Sequence, residues 1–261
     1  MQHGMRIAAS GAMVALHHTD VMANNLANVD TVGFKPDNAM ARSRAVVRIE
    51  DDLPFLPSDS LLERLGAGVL AGPRRTSFRQ GPMQTTDNPL DLAIEGKAFF
   101  MVRLETDQGA QTALTRDGRF TRDAMGRLVQ SATGMPVLGP GQQPIFLPEG
   151  PVTIDPHGRI SDTQGNTVAT IGALHVEDPH ALHKQGEGLF LAPAQAFQGA
   201  TDALASGARI HQGMLEGSGV DPIRAMMEIT DAGRAVSGNS RMIGYHDQLL
   251  DQAINTFARV A

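Results

Sequence analysis

Nine histidines among 261 residues raise the question of a metal site. Three of them, His175, His180 and His183, fall in LHVEDPHALH with Glu177 and Asp178 between them. Imidazole and carboxylate both bind zinc, but this run does not reproduce a zinc-ligand spacing, and Pro179 makes it a loop. His17 and His18 are neighbours, and adjacent side chains on a helix point in different directions. GAGVLAG at 66–72 has the glycines of a phosphate-binding loop without the Lys-Ser/Thr that would reach the phosphates. It also lacks the strand–turn–helix context and the acidic residue of a dinucleotide site. No Gly-x-Ser-x-Gly elbow is present to expose a nucleophile. The carboxylates are scattered among turns rather than paired for acid–base work. No catalytic residue, cofactor or metal is expected, and what remains is interaction.

One stretch is more specific. Residues 24–35 read NNLANVDTVGFK, with asparagines and a glycine directly after a run that looks helical. Both residue types are poor helix formers. Written in sevens, the run before it places Met5, Ala12, Thr19 and Leu26 on one position and Ala8, Ala15, Met22 and Val29 on the other. Spacings that alternate three and four are the a/d seam of a coiled coil. The other end of the chain has the same texture. Ile229, Val236, Ile243, Leu250 and Phe257 are spaced by seven, with Met226, Gly233, Ser240, Asp247, Ile254 and Ala261 on the companion position. Asp221 suits a helix cap and Pro222 the first helical position. A helix from 222 to about 259 would run roughly 55 Å. Gly233, Gly238 and Gly244 each cost it about 1 kcal/mol relative to alanine, so it needs a partner surface.

Composition bounds the rest. The net charge of −6 argues against a nucleic-acid protein, and cysteine is absent. No run of about 18 apolar residues occurs, so no membrane span is expected. MQHGMRIAASGAMVALHHTD is interrupted by Ser10 and Gly11 and flows into the longer amphipathic pattern. It reads as mature structure, not as a secretory signal. Residues 36–80 carry Pro36, Pro54, Pro57 and Pro73 and little periodicity, which reads as an extended connector. Arg42, Arg44, Arg48, Arg74, Arg75 and Arg79 make it locally basic. From about 85 to 210 short alternating runs and turns recur every eight to twelve residues, the signature of an all-β module. LTRDGRF carries Asp117-Gly118, a hairpin turn pair. RDAMGRLVQ turns near Gly126, and VTIDPHGRIS turns at Asp155–Gly158. The expected fold is α+β, with long terminal helices pairing as a coiled coil and an all-β insertion. The expected boundaries are 1–35, 36–84, 85–212 and 213–261.

NNLANVDTVGFK resembles the N-terminal signature of the bacterial flagellar axial proteins, the rod and hook family. Asn24, Asn25, Leu26, Ala27, Asn28, Thr31, Gly33, Phe34 and Lys35 carry the likeness. NPLDLAIEGKAFFMV (88–102) is similar to that family's strand pair, with Ala98 where glycine is usual. TRDGRFTRDAMGRLV (115–129) resembles its following hairpin, and GMLEGSGVDPIRAM (213–226) resembles the lead-in to its C-terminal helix. Gly219 stands there in place of the family's asparagine. Length and the single small β-domain resemble a rod protein, the proximal type favoured over the distal.

The resemblance implies a structural subunit without enzymatic activity. Its terminal helices would form the inner layer of a helical tube, the rod, which crosses the periplasm within the basal body and transmits torque to the hook. Partners would be copies of itself, other rod and hook subunits, and the flagellar type III export apparatus, with no cleaved signal. The implied assembly interface comprises the seam residues Met5, Ala8, Ala12, Ala15, Met22 and Leu26, and the turn residues Asn24, Asn25, Asn28, Gly33, Phe34 and Lys35. It continues through Leu215, Glu216, Ser218 and Val220 to Ile229, Val236, Ile243, Leu250, Ile254 and Phe257. Weak terminal segments would order only as neighbours bury them. Two other classes fit less well: a soluble cap or adaptor of the same flagellum, and a wall hydrolase carrying axial ends.

Overall fold

The computed structural model describes residues 2–46, 49, 66–106, 109–192 and 207–258. Two compact units divide the chain. One comprises Met1–Ala27, Asp37–Thr76 and Asp221–Ala261, and the other comprises Asn28–Pro36 and Ser77–Val220.

The first unit is built on two helices, α1 (Gln2–Ala27) and α2 (Pro222–Ala258). The Asp221 carboxylate caps α2 by accepting from the backbone N–H groups of Ile223 and Arg224 at 3.0 and 3.2 Å. The helices lie antiparallel. A Cβ at Gly4 would meet His246 at 2.5 Å, one at Gly11 would meet Asn239 at 3.0 Å, and His18 Nε2 stands 3.7 Å from Glu228 Oε2. Ala8, Ala15 and Met22 are buried on α1, as are Ala225 and Ala232 on α2. Ile229, Val236, Ile243 and Leu250 are half-buried.

The companion lines differ from the sequence reading. Against α2 stand Gly4, Gly11 and His18, one residue before Met5, Ala12 and Thr19. On α2 the companions are Ala225, Ala232, Asn239 and His246, and Met226 and Ile254 stay 51% and 64% exposed. The reason is steric. Gly4 and Gly11 leave room for the His246 and Asn239 side chains opposite them, and a search for apolar residues passes over glycine, asparagine and histidine. The side chain of Phe257 lies outside the described residues.

The connector is more ordered than its composition suggests. Asp37–Asn38 pairs with Arg75–Thr76, and Ala41–Ser43 with Val69–Ala71, both antiparallel. This ribbon runs against α1, where the Ser10 hydroxyl donates to the Ile7 carbonyl and accepts from Val69 N–H. Arg42, Arg74 and Arg75 are exposed on it. Arg48, Pro54 and Pro57 lie outside the described residues.

The second unit is antiparallel β throughout. Its largest sheet orders the strands Ala173–His175, Ala98–Thr106, Gly109–Thr115, Leu189–Leu191 and His183–Gly186. Leu92, Ile94, Phe100, Phe120, Leu128, Ile160, Ile171 and Ile210 form one core. Phe99, Leu114, Leu138 and Phe190 form a second, with Phe78 edge-on to Phe99 at 5.8 Å. Alternating apolar residues supply both faces, as expected for short strands with one side inward.

The turns at Gly126 and Asp155–Gly158 form as expected, and a third of the same build follows at Asp162–Gly165. In each, an aspartate accepts backbone N–H groups two and four residues on, and a glycine at positive φ completes the turn. Asp117-Gly118 is not a hairpin turn. Gly109–Thr115 pairs with Ala98–Thr106 and Leu189–Leu191, whereas Phe120–Arg122 pairs with Leu128–Gln130. Gly118 is a close crossing instead, because a Cβ there would fall 1.6 Å from the Leu92 carbonyl oxygen. Asp117 is held by both nitrogens of the Arg119 fork at 3.0 and 2.7 Å.

Candidate assembly site

The Asn-rich stretch performs two separate tasks. Asn25, on the last turn of α1, is buried, and its amide makes both available bonds to one backbone unit. Nδ2 donates to the Asp37 carbonyl at 2.7 Å, and Oδ1 accepts from Asp37 N–H at 2.9 Å. A side-chain amide thus imitates a strand partner and fixes the returning chain, which an aliphatic residue could not do. Asn28 begins the turn that follows, accepting from the Thr31 hydroxyl at 3.2 Å.

Gly33-Phe34-Lys35 then enters the β-rich unit and meets Leu215-Glu216. Lys35 and Glu216 are 1% and 0% exposed. Lys35 Nζ donates to Glu216 Oε1 at 2.6 Å and to the Arg79 carbonyl at 2.9 Å. The second carboxylate oxygen accepts from Arg116 Nη1 at 3.0 Å, and Gly81 N–H adds a bond to Oε1 at 2.8 Å. Arg116 is itself buried, donates to the Gly96 carbonyl at 2.6 Å and lies over the Phe99 ring at 4.9 Å. One anion therefore serves two buried cations. Desolvation pushes the pKa of both Lys35 and Arg116 down, opposed by the Glu216 charge, and Arg116 adds to the lowering at Lys35.

The backbone seals the same junction. Gly33 N–H donates to the Glu216 carbonyl at 2.7 Å, and Gly219 N–H to the Phe34 carbonyl at 3.0 Å. Gly33 has φ +67°, and a Cβ would sit 2.5 Å from the Arg116 carbonyl carbon, so no other residue fits. At Gly219 a Cβ would meet Pro36 Cδ at 3.0 Å. Lys184 donates to the Lys35 carbonyl at 2.6 Å and lies over the Phe34 ring at 4.7 Å. The segment leading out of α1 and the segment leading into α2 are thus tied to one another within the β-rich unit.

Of the residues singled out in the sequence, Gly33, Phe34, Lys35, Leu215, Glu216 and Gly219 come together here, and Ser218 is buried beside them. Its hydroxyl accepts from the N–H of the half-buried Val220 at 3.3 Å. Asn24 is exposed, and Met5, Ala12 and Leu26 are half-buried on α1. Arg116 and the Arg79 carbonyl were not anticipated as part of the site. The signal available was Arg116 itself, a charge between Thr115 and Asp117 in a stretch already notable for its resemblance. Among the described residues, no group of three or more His, Cys, Asp or Glu could hold a metal. No described helix is long and apolar enough to cross a membrane.

Three family models match, in chain order. Residues 5–35 match "Flagella basal body rod protein", residues 93–176 match "Flagellar hook protein FlgE/F/G D1 domain", and residues 211–256 match "Flagellar basal body rod FlgEFG protein C-terminal". The flagellar basal-body rod protein FlgF of Caulobacter vibrioides is 33% identical over 264 residues, covering all of both chains. The chain belongs to the flagellar rod and hook family. FlgF of Salmonella typhimurium is 32% identical over 95% of each chain, and FlgG of C. vibrioides is 31% identical over 94% of this chain and 96% of its own. On this family member, two of the three matched segments supply the Lys35–Glu216 pair, and Arg116 comes from the third.

Proposed function

We propose that the chain is a structural subunit of the flagellar rod, of the proximal FlgF type, and that it does no chemistry. The carrying observation is similarity to FlgF proteins along the full length, with the family-like motifs converging on one buried ion cluster. A shaft subunit must pass force between the helices that polymerise and the β-rich body. A pair of chain segments tied by an ion pair and two backbone bonds serves that purpose better than two free linkers.

Polymerisation runs through the helical unit. Ile223, Met227, Met242, Tyr245 and Leu249 are each at least half exposed on α2, more apolar surface than one helix normally leaves in water. Gly233, Gly238 and Gly244 would meet nothing if each carried a Cβ, so the single chain gives no steric reason for them. Close packing of neighbouring helices in a crowded tube does. The heptad seam, the repeat by a non-closing contact, passage through the type III export apparatus and placement across the periplasm are all parts of this reading. The test is deletion and complementation, with hook–basal bodies isolated and their proteins identified by mass. The chain should co-purify with them, and its loss should stop the rod and abolish motility. Recovery only in the soluble fraction, with normal rods in its absence, would overturn the reading in favour of an adaptor.

A further inference from the structure

The chain crosses between its two units four times, at residues 27–28, 36–37, 76–77 and 220–221. Each segment of the β-rich unit that leads to a crossing is bonded to one residue, Glu216. Its Oε1 accepts from Lys35 Nζ on the first segment at 2.6 Å and from Gly81 N–H on the second at 2.8 Å. The third segment is Glu216's own. It is tied to the second by Gly217 N–H donating to the Pro82 carbonyl at 2.7 Å, and to the first by Gly219 N–H donating to Phe34, and it leads on to the Asp221 cap of α2. The other carboxylate oxygen is anchored by Arg116 from the body of the unit at 3.0 Å. Lys35 and Glu216 stand 181 residues apart, so this clasp can close only when nearly the whole β-rich unit is in place.

About 190 residues separate the end of α1 from the start of α2. Where the β-rich unit is unfolded, the helices can meet only by closing a loop of that length. With the clasp made, only about ten residues, 28–32 and 217–221, lie between it and the two helices. Effective concentration falls as about the three-halves power of the connecting length, so closing the clasp raises that of one helix for the other roughly eightyfold. We propose that the Glu216 clasp is a folding checkpoint for assembly. It brings α1 and α2 together only in a chain whose β-rich unit is complete, and it withholds the paired helices from an unfinished chain. The checkpoint role rests on the rod-subunit reading and adds its regulation, whereas the coupling of clasp to helices belongs to the free chain. The competing picture is a coiled coil that pairs by itself, whatever the state of the β-rich unit.

The chain has no native cysteine, so two introduced ones report the encounter. A Cβ at Gly11 would lie 3.2 Å from Asn239 Cγ, within reach of a disulfide. The full chain carrying Gly11→Cys and Asn239→Cys is oxidised in a glutathione buffer across a urea series, and the rate of disulfide formation is read beside β-sheet circular dichroism. The rate should hold while the β-rich unit is folded and fall roughly eightyfold at its urea midpoint. Adding Glu216→Gln, which alters no helix residue, should move both transitions to lower urea together. The proposal is overturned by a rate that passes the β-rich midpoint unchanged, or by one that reaches its unfolded value while that unit is still folded. It is overturned equally if Glu216→Gln moves neither transition or separates the two. Absence of the wild-type chain from isolated basal bodies would instead bring down the rod reading and leave the measured coupling standing.

Discussion

Replacing Glu216 by glutamine should unfold the β-rich unit, whereas replacing Lys35 by methionine should not. Glu216 is fully buried and accepts from Lys35 at 2.6 Å, Arg116 at 3.0 Å and Gly81 N–H at 2.8 Å. An amide offers one acceptor oxygen and turns a donor group toward a cation. Two buried positive charges would then face no anion. Removing one partner of a single buried pair costs about 3–5 kcal/mol, and here one substitution breaks two. The loss should reach about 5 kcal/mol, which is the whole stability of a modest domain.

Lys35→Met acts in the opposite sense on charge. It leaves Arg116 and Glu216 as a neutral pair and strands only the Arg79 carbonyl, at about 1–2 kcal/mol. Desolvation already lowers the Lys35 pKa from 10.5. The unfolded state therefore binds more protons between the folded value and 10.5, and stability contributed by this group rises with pH across that window. Lys35→Met should lose that rise. The assay is urea unfolding of the full chain followed by β-sheet circular dichroism, since tryptophan is absent. If Lys35→Met proves as damaging as Glu216→Gln, the two-cations-one-anion account is wrong.

Four further outcomes are expected. Gly33→Ala should cost at least about 2 kcal/mol from its positive φ and its contact with the Arg116 backbone, read as a lower urea midpoint. At Asp123 and Asp155 partial desolvation pushes the pKa up, but hydrogen bonds led by those of Arg127 and Arg159 outweigh it; at Asp162 the Asn166 N–H leads the lowering. Their stabilisation should therefore be present above pH 3.8 and fall away as pH drops below it, and an Asp→Asn variant at all three should show a flatter acid limb. Gly238→Ala should raise the helicity of the free chain by about 1 kcal/mol of local stability yet reduce incorporation into rods. Ile243→Asp should abolish incorporation and leave the melting of the β-rich unit unchanged.

The helices and the β-rich insertion were legible because their periods are strong. On each helix one apolar line marked in the sequence is turned inward: Ala8, Ala15 and Met22 are buried, and Ile229, Val236, Ile243 and Leu250 are half-buried. The companion lines were not legible, because Gly4, Gly11, Asn239 and His246 stand there and closeness, not hydrophobicity, selects them. Asp117-Gly118 misled for a related reason. Glycine serves turns and close crossings alike, and only the position of Leu92 tells them apart. Lys35 and Glu216 stood out through family resemblance alone. Nothing in the periodicity pairs a lysine with a glutamate 181 residues away, and Arg116 completes the cluster from a third segment.

Limited proteolysis of the free chain and of isolated rods, with fragment masses, tests the expectation that the terminal segments become firmly ordered only as neighbours bury them. In the free chain, α1 and α2 should be cut quickly while fragments within residues 77–220 persist, and in rods both helices should be protected. A free monomer that resists cleavage along both helices would contradict the account, because its helices would need no neighbour.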